Sequence, residues 1–233
     1  MKTYSHILFD LDHTLWDFEK NSEETLQTLY EEYKLADFDK FDCDSFYKKY
    51  KFVNLRLWDL YNKGKINQQE LREKRFQKTL VGLGLQEHEI PAGLSEAYTY
   101  LCPTKSGVFP FTYDVLQYLQ PKCGLHIITN GCKDVQHIKM TSANLNGYFK
   151  EIVTSECCGY KKPDKRIFSH ALERINVAPE QCLMVGDNLE CDIEGARAAG
   201  IDQVYFNPER IKGKSRSNAT HEIHCLSQLR EIL

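Results

Sequence analysis

The sequence lacks any long apolar run, any strong excess of one charge and any export-like beginning. No uninterrupted apolar stretch approaches the ~18 residues that a membrane-spanning helix needs. The 33 acidic and 30 basic residues leave a net charge of −3, which argues against bulk electrostatic binding to nucleic acid or to an anionic membrane. The start becomes acidic at Asp10, unlike a secretory signal peptide. These absences predict a cytoplasmic protein whose partner is neither a nucleic-acid polymer nor a membrane.

Paired-cysteine motifs are missing as well. The nine cysteines are an odd number, none are spaced as CxxC, and the one adjacent pair is Cys157-Cys158. Without an export signal, this pattern favours reduced thiols over a disulfide framework, and it argues against a zinc site. The sequence also has no internal repeat and no low-complexity segment. Its 42% hydrophobic and 27% charged shares are typical of a globular chain that can bury a core.

The chain divides into two regions of different sequence pattern. Residues 18–105 are rich in Glu, Lys, Gln, Tyr and Leu, with apolar residues at intervals of three and four, which indicates helices. Asn67 followed by Glu70 predicts a capped helix here. In the remainder, strand-like and helix-like runs alternate, which indicates a mainly parallel sheet covered on both faces. The sequence therefore predicts an α/β core of residues 1–17 and 106–233, with a helical cap of residues 18–105 inserted after the first strand.

Strands and helices are expected to alternate along the core region. Strands are expected at 6–9, 125–129, 152–154, 183–185 and 204–206. Helices are expected over 112–120, 133–143, 164–175 and 191–199. The basic run at 210–216 is expected to be a solvated loop.

Polar side chains stand just after the predicted strands or just before a predicted helix. Ligands of open parallel sheets bind at the carboxyl ends of the strands, so we expect these side chains to meet at one edge. They are Asp10, Asp12, Thr14, Thr129, Asn130, Lys162, Asp187 and Asp192.

This set of residue types suits phosphoryl transfer. Asp10 and Asp12 are two apart, so an extended backbone aims both carboxylates to one side. One carboxylate can attack phosphorus, and the other can protonate the leaving group and later take a proton from water. Mg²⁺ suits carboxylate and phosphate oxygens, and Asp187 is a natural further ligand. Lys162 and the Thr129 hydroxyl can hold the phosphate oxygens. Each residue alone has an ordinary structural explanation, and only their joint occurrence in this order indicates the chemistry.

The sequence resembles the haloacid dehalogenase-like hydrolase superfamily. FDLDHTL, IITNG, GYKKPDKRIF and MVGDNLECDIEGARAAGI resemble its four motifs in order. The resemblance implies a Rossmann-like core with an inserted α-helical cap. It also implies that Asp10 is the nucleophile, that Asp12 is the general acid and base, and that Thr129 and Lys162 contact the phosphate as catalytic residues.

The same resemblance implies a metal site. Asp10, the main-chain carbonyl of Asp12 and Asp187 would bind Mg²⁺, and Asp192 would support the site from behind. His13 departs from the glycine often found at its position, which changes the loop beside Asp12.

A narrower resemblance is to the capped pyrimidine 5′-nucleotidases of this superfamily. It rests on LWDFEKNS, VNLRLW, KRF and ITNG. It implies substrate contacts from the core and the cap, namely from Thr129, Asn130, Lys162, Phe18, Asn54, Trp58 and Arg75. Trp58 also lies on an apolar stripe and can be core, and Arg75 can be a partner of nearby glutamates. Phe18 and Trp16 can either stack on a base or pack the start of the cap.

The sequence is therefore interpreted as that of a Mg²⁺-dependent phosphomonoesterase acting through an aspartyl phosphate, with nucleoside monophosphates as the expected small-molecule substrates. A sugar-phosphate phosphatase or phosphomutase of the same fold is the alternative. A 2-haloacid dehalogenase would need no metal and no acid two residues after the nucleophile. A non-catalytic protein of this fold could lose the nucleophile or the lysine, and neither is lost here. The oligomeric state stays open.

Overall fold

The computed structural model describes residues 3–211 and 218–233, and it separates into two compact units. The core unit comprises Met1–Phe18 and Ser106–Leu233, and the helical unit comprises Glu19–Lys105. Most of the basic run at 210–216 lies outside the described residues, so its prediction as a solvated loop is not tested. Among the helices of the described residues, none combines the length and apolar character required to cross a bilayer.

Within the described residues, the core unit is built on a parallel sheet of six strands. They are β1 (His6–Phe9), β2 (Gly124–Thr129), β3 (Glu151–Thr154), β4 (Cys182–Gly186), β5 (Asp202–Phe206) and β6 (His221–Ile223). Their order in the sheet is β3-β2-β1-β4-β5-β6, and every pair is parallel. The predicted α/β class is confirmed.

The structure has α-helices in both units. In chain order they are α1 (Phe18–Glu32), α2 (Cys43–Asn62), α3 (Gln68–Val81), α4 (Leu94–Leu101), α5 (Thr112–Leu119), α6 (Lys133–Ser142), α7 (Ser155–Cys158), α8 (Lys165–Ile175), α9 (Gly195–Ala198) and α10 (Leu229–Ile232). Apart from Phe18, α1 to α4 belong to the helical unit.

The central position of β1 explains where the first acidic motif lies. Ile7, Leu8 and Phe9 are fully buried, as expected for a strand covered on both faces. Phe9 pairs in register with Ile127 of β2 and with Val185 of β4. The residues that follow these three strands therefore emerge side by side at one edge of the sheet.

The segment after β4 differs from its prediction. The sequence predicts a single helix over 191–199, but the chain first forms a π-helical turn at Leu189–Glu194 and only then α9. The Asn188 side chain accepts the N–H groups of Glu190 and Cys191 at the start of this turn. Wide turns of this kind are rare overall, but those that occur often lie at functional sites. This turn carries Asp192.

Aromatic rings form one connected cluster in the core of the helical unit. Phe46 and Tyr50 of α2, Phe76 of α3 and Tyr98 of α4 lie in a chain of ring contacts with centroids 5.1 to 6.4 Å apart.

At the start of α3, Asn67 and Glu70 form the predicted capping box, with each side chain hydrogen-bonded to the other's main-chain N–H. That prediction is confirmed.

Two stacked histidines lie towards the amino end of the sheet. His6 Nδ1 is 3.0 Å from His126 Nε2, and the rings are 5.3 Å apart. His126 Nδ1 is buried without a hydrogen-bond partner among the described residues. Burial, with the nearby charges of His6 and Lys150 and against that of Glu151, lowers the pKa of His126 to about 4.

This histidine predicts a loss of stability in mild acid. His126 becomes protonated near pH 6.5 in the unfolded chain but only near pH 4 in the folded protein. The unfolded state therefore binds more protons than the folded state between those pH values. The free energy of unfolding has its full value above pH 6.5 and decreases as the pH falls towards 4, by up to about 3 kcal/mol. Urea unfolding of the native protein and of His126→Asn across this range measures the effect. The exposed His137→Asn is the control, and an equal fall in the native protein and in His126→Asn would contradict the prediction.

Candidate active site

Asp10 contacts a buried lysine at the end of β1. Its main-chain N–H donates to the Val185 carbonyl at 2.9 Å, which fixes the residue at the strand end. The Lys162 ammonium lies 2.5 Å from Asp10 Oδ1 and 2.6 Å from Asp192 Oδ1. The same ammonium donates to the Ile128 carbonyl at 2.8 Å. Lys162 is 2% exposed, and all three of its protons thus have acceptors, two of them carboxylates.

Three acids share this edge with that single ammonium. Carboxylate oxygens of Asp10, Asp187 and Asp192 lie within 4.8 Å of one another. Burial raises the pKa of Asp10 well above its ordinary value, against the charge of Lys162 and together with the neighbouring carboxylates. Burial and the Asp192 charge raise the pKa of Asp187 to about 8. The ionised cluster would hold two negative charges in excess, which favours a divalent cation with oxygen ligands.

The lysine remains charged in this setting. Burial alone would lower the pKa of Lys162, but the charges of Asp10 and Asp192 outweigh it and raise the pKa above its ordinary value. A permanent ammonium between two carboxylates holds both of them in place.

Gly186 and the π-helical turn allow the Asp192 side chain to lie in this cluster. A Cβ on Gly186 would lie 2.4 Å from Asp192 Oδ2, so only glycine leaves room there. The same oxygen accepts the Asn188 N–H at 3.0 Å. Asp192 thus has one oxygen on Lys162 and the other on the main chain, as expected for a residue that supports the site.

Asp12 lies beside two residues of α6. Lys139 Nζ is 2.5 Å from Asp12 Oδ1, and Gln136 Nε2 is 2.8 Å from Oδ2. Burial would raise the pKa of Asp12, but the Lys139 ammonium and the Gln136 amide outweigh it and hold the pKa below its ordinary value. The structure therefore holds Asp12 as a carboxylate.

The second motif contributes a hydroxyl and an amide. Thr129 Oγ1 accepts the Gly131 N–H at 3.0 Å and a Gln136 N–H at 2.9 Å. The Asn130 side chain accepts the Lys162 N–H at 2.7 Å and donates to the Lys162 carbonyl at 2.9 Å. Asn130 thus fixes the loop that carries the lysine, and its contact with substrate stays a prediction.

The loop after Asp12 has a strained backbone residue. His13 has a φ of 64°, in the left-handed region that favours glycine. Its N–H donates to the Trp16 carbonyl at 3.0 Å, and its ring lies 4.8 Å from that of Phe18. Thr14 Oγ1 donates to Asp187 Oδ1 at 3.2 Å. The loop therefore orients one of the clustered acids.

Comparison with known proteins agrees with this geometry. A sequence profile of the haloacid dehalogenase-like hydrolases matches residues 7–206, which span the whole edge just described. The chain belongs to the haloacid dehalogenase-like hydrolase family. The predicted superfamily is thereby confirmed, as is the prediction that the chain is an enzyme.

Three relatives within this family are similar along almost their whole length. The crystal structure of the HAD-hydrolase YfnB from Bacillus subtilis, described as bound to magnesium, superimposes with a TM-score of 0.87 at 30% identity, covering 100% of this chain and 99% of that one. Pyrimidine 5′-nucleotidase PynA from Streptococcus pneumoniae is 29% identical over 99% of this chain and 95% of the relative. Pyrimidine 5′-nucleotidase YjjG from Escherichia coli is 30% identical over 97% of this chain and 96% of the relative.

In the helical unit of this haloacid dehalogenase-like hydrolase, the predicted substrate contacts Asn54 and Arg75 are buried polar residues. Arg75 Nη2 donates to Thr99 Oγ1 at 2.7 Å, and its guanidinium lies 4.4 Å from the Tyr98 ring centroid. Asn54 and Arg75 are 5% and 7% exposed. Asn54 Oδ1 and Arg75 Nε have no hydrogen-bond partner among the described residues. No carboxylate pairs with Arg75 there, so the interpretation of Arg75 as a partner of glutamates is not supported.

The three aromatic candidates for substrate contact differ from one another in burial and packing. Trp58 packs edge-on against Tyr61 with ring centroids 5.4 Å apart, beside an apolar cluster of the helical unit, which favours its structural role. Trp16 is fully buried and packs the loop after Asp12. Phe18 is partly exposed, with its ring 6.1 Å from that of Trp16, so a contact with substrate stays a prediction for Phe18.

Sequence reasoning missed Gln136 and Lys139. On a helix whose polar residues include the exposed Lys133 and Asp134, both look like ordinary surface residues. The available signal is their spacing of three, which places them on one face of α6.

Proposed function

We propose that the chain is a phosphomonoesterase in which Asp10 is the nucleophile. The observation that carries this proposal is the fixed position of Asp10, at the end of the central strand, in contact with Lys162 and within 4.8 Å of carboxylate oxygens of Asp187 and Asp192. A carboxylate held there is desolvated and oriented, as a nucleophile requires. The named relatives PynA and YjjG are nucleotidases, which supports a phosphate ester as substrate.

The proposed reaction has two steps. In the first step Asp12 must have taken up a proton from solvent, because the free site holds it as a carboxylate. An oxygen of Asp10 attacks phosphorus, the bond from phosphorus to the leaving oxygen breaks, and protonated Asp12 gives its proton to that oxygen. A water molecule then attacks the phosphorus of the aspartyl phosphate, Asp12 takes its proton, and the bond to Asp10 breaks to release phosphate. The contacts that hold Asp12 as a carboxylate suit the second step, in which it acts as a base.

Mg²⁺ fits the donor set. Asp10, the Asp12 main-chain carbonyl and Asp187 are the ligands that we propose, because Asp192 is bonded to Lys162 and to the main chain. The excess negative charge of the cluster and its oxygen-only ligands suit a hard divalent cation. When bound, the cation would offset the charge of the phosphate and of the acids.

Removal of the metal provides the test of this proposal. We expect EDTA to abolish phosphate release from p-nitrophenyl phosphate and Mg²⁺ to restore it. Asp187→Asn should lower activity at least about a hundredfold and raise the Mg²⁺ concentration needed for half activity, since a charged ligand is lost. Asp134→Asn, an exposed change in the same unit, is the control. Full activity of the native enzyme in EDTA would contradict the proposal and indicate chemistry like that of the dehalogenases.

We further propose nucleoside monophosphates, pyrimidine ones first, as substrates. Buried polar atoms are nearly always hydrogen-bonded, so the unpartnered atoms of Asn54 and Arg75 favour a ligand with several donors and acceptors. A pyrimidine base has such a pattern of donors and acceptors. The cytoplasmic location and the choice between nucleotides and sugar phosphates stay predictions.

Loss of the Arg75 guanidinium should change specificity. We expect Arg75→Met to lower kcat/KM for UMP and dTMP by roughly ten- to a hundredfold, as for the loss of a charged hydrogen bond. Hydrolysis of p-nitrophenyl phosphate should fall less, because that substrate needs fewer of these contacts. The exposed Arg56→Met on α2 is the control.

Equal losses on all substrates would show that Arg75 only stabilises the helical unit. A native enzyme that prefers sugar phosphates to every nucleotide would contradict the nucleotidase proposal and leave the phosphatase proposal intact.

A further inference from the structure

One helix holds both oxygens of the Asp12 carboxylate. Gln136 and Lys139 are one turn apart on α6, and they are 1% and 5% exposed. Lys139 Nζ lies 2.5 Å from Oδ1 and Gln136 Nε2 lies 2.8 Å from Oδ2. A carboxylate oxygen has two lone pairs, so each oxygen keeps one for exchange of a proton. The carboxylate is thereby fixed in orientation without being blocked.

The same glutamine sets the direction of the Thr129 proton. Gln136 Nε2 has two protons, and it donates one to Asp12 and the other to Thr129 Oγ1, at 2.9 Å. Thr129 Oγ1 also accepts the Gly131 N–H at 3.0 Å. A hydroxyl accepts two hydrogen bonds and donates one. Because both acceptor positions are used, the Thr129 proton is left for another acceptor, such as a phosphate oxygen.

Neighbouring residues accommodate the side chains of Gln136 and Lys139 in these positions. A Cβ on Gly131 would lie 1.9 Å from Gln136 Nε2, so the glycine of the second motif leaves the space that the amide occupies. Lys139 Nζ lies 4.5 Å from the Trp16 ring centroid and 5.7 Å from that of Phe18. Aromatic faces can attract the ammonium but cannot neutralise it, and Asp12 is its ion-pair partner among the described residues.

We infer that Gln136 and Lys139 are positioning residues for the reaction: Lys139 and Gln136 fix the Asp12 carboxylate, and Gln136 directs the Thr129 proton towards the phosphate. The inference rests on the proposed function, since it assigns roles through Asp12 and Thr129. It explains why a lysine and a glutamine are buried on a helix that contributes no residue to the four motifs of the family.

Substrates with different leaving groups test the inference. Proton transfer from Asp12 matters for an alkyl phosphate, whereas p-nitrophenolate leaves without a proton. Lys139→Met should lower kcat/KM for the best alkyl phosphate about a hundredfold, the scale of a misplaced acid, and for p-nitrophenyl phosphate at most about tenfold. Gln136→Met should in addition raise KM for both substrates, because the Thr129 hydroxyl is released. Lys139→Arg should restore part of the alkyl phosphate activity.

Controls separate this inference from the proposed function and from effects on folding. Lys122→Met removes an exposed lysine before β2 and should change neither substrate. Melting temperatures of all variants report on folding independently of activity. If the native enzyme releases phosphate, but the variants keep full activity or lose both substrates equally, the inference is overturned and the proposed function stands. A native enzyme without phosphatase activity would instead overturn the proposed function.

Discussion

Replacement of Asp10 by asparagine is expected to abolish turnover while the protein stays folded. Asparagine keeps the size of the side chain but removes the charge that attacks phosphorus. In a serine protease, which also acts through a covalent intermediate, loss of the nucleophile lowers kcat by about 10⁶-fold, and we expect a loss of at least about 10⁴-fold here. Lys162 keeps its contacts with Asp192 and with the Ile128 carbonyl, so the melting temperature should change little. Phosphate release from p-nitrophenyl phosphate and thermal unfolding measure the two quantities.

The exposed Asp37→Asn in the helical unit is the matched control, and it should keep full activity. Substantial turnover by a verified Asp10→Asn sample would remove Asp10 from the role of nucleophile. Loss of activity together with loss of the folded state would leave the role unsupported, so the two measurements belong together.

Removal of the buried lysine should have the largest effect on stability. Lys162→Met leaves Asp10 and Asp192 buried without their counter-charge, and breaking a buried ion pair from one side costs about 3–5 kcal/mol. A folded domain has only about 5–15 kcal/mol of stability in total, so the urea midpoint should fall strongly. Activity should be lost as well. The exposed Lys165→Met is the control for the loss of a lysine in the same region.

A second substitution separates charge from packing. In Lys162→Met/Asp192→Asn one of the two unpaired carboxylates is gone, so we expect part of the stability to return while activity stays absent. If the double variant is no more stable than Lys162→Met, the destabilisation comes from lost packing and not from unpaired charge.

Most of the core fold could be predicted because its signals are local. The apolar runs of β1, β2 and β4 are bounded by polar residues, and the helices between them have a clear apolar face. The short strand β6 was missed because His221 and Glu222 give it a polar pattern. The π-helical turn was missed because it depends on main-chain hydrogen bonds to the Asn188 side chain, which a periodicity argument does not detect.

The candidate site was predictable as far as it follows the strand ends. Parallel pairing alone brings Asp10, Thr129 and Asp187 to one edge, so their proximity follows from the topology. The contacts of Gln136 and Lys139 could not be predicted in this way, because they depend on the side of α6 that faces the loop after Asp12. The close approach at Gly131 is likewise visible only in three dimensions.

The helical unit was the least predictable part for function. Resemblance alone points to Asn54 and Arg75, and their burial and unpartnered atoms are features that sequence periodicity does not give. The sequence leaves Trp58 open between core and substrate contact, and its packing on Tyr61 favours the core. The reason is physical, since an amphipathic helix predicts which side is buried but not which buried polar atom lacks a partner.

The most direct measurement is chemical trapping of the aspartyl phosphate. Enzyme mixed with excess p-nitrophenyl phosphate and Mg²⁺ is quenched in acid within one turnover, treated with borohydride and digested. If Asp10 is the nucleophile, Asp10 is reduced to homoserine in the peptide that contains it, and the reduction depends on substrate and on Mg²⁺. Release of phosphate without any reduced residue, or reduction at Asp12 or elsewhere, would contradict the assignment of Asp10 as the nucleophile.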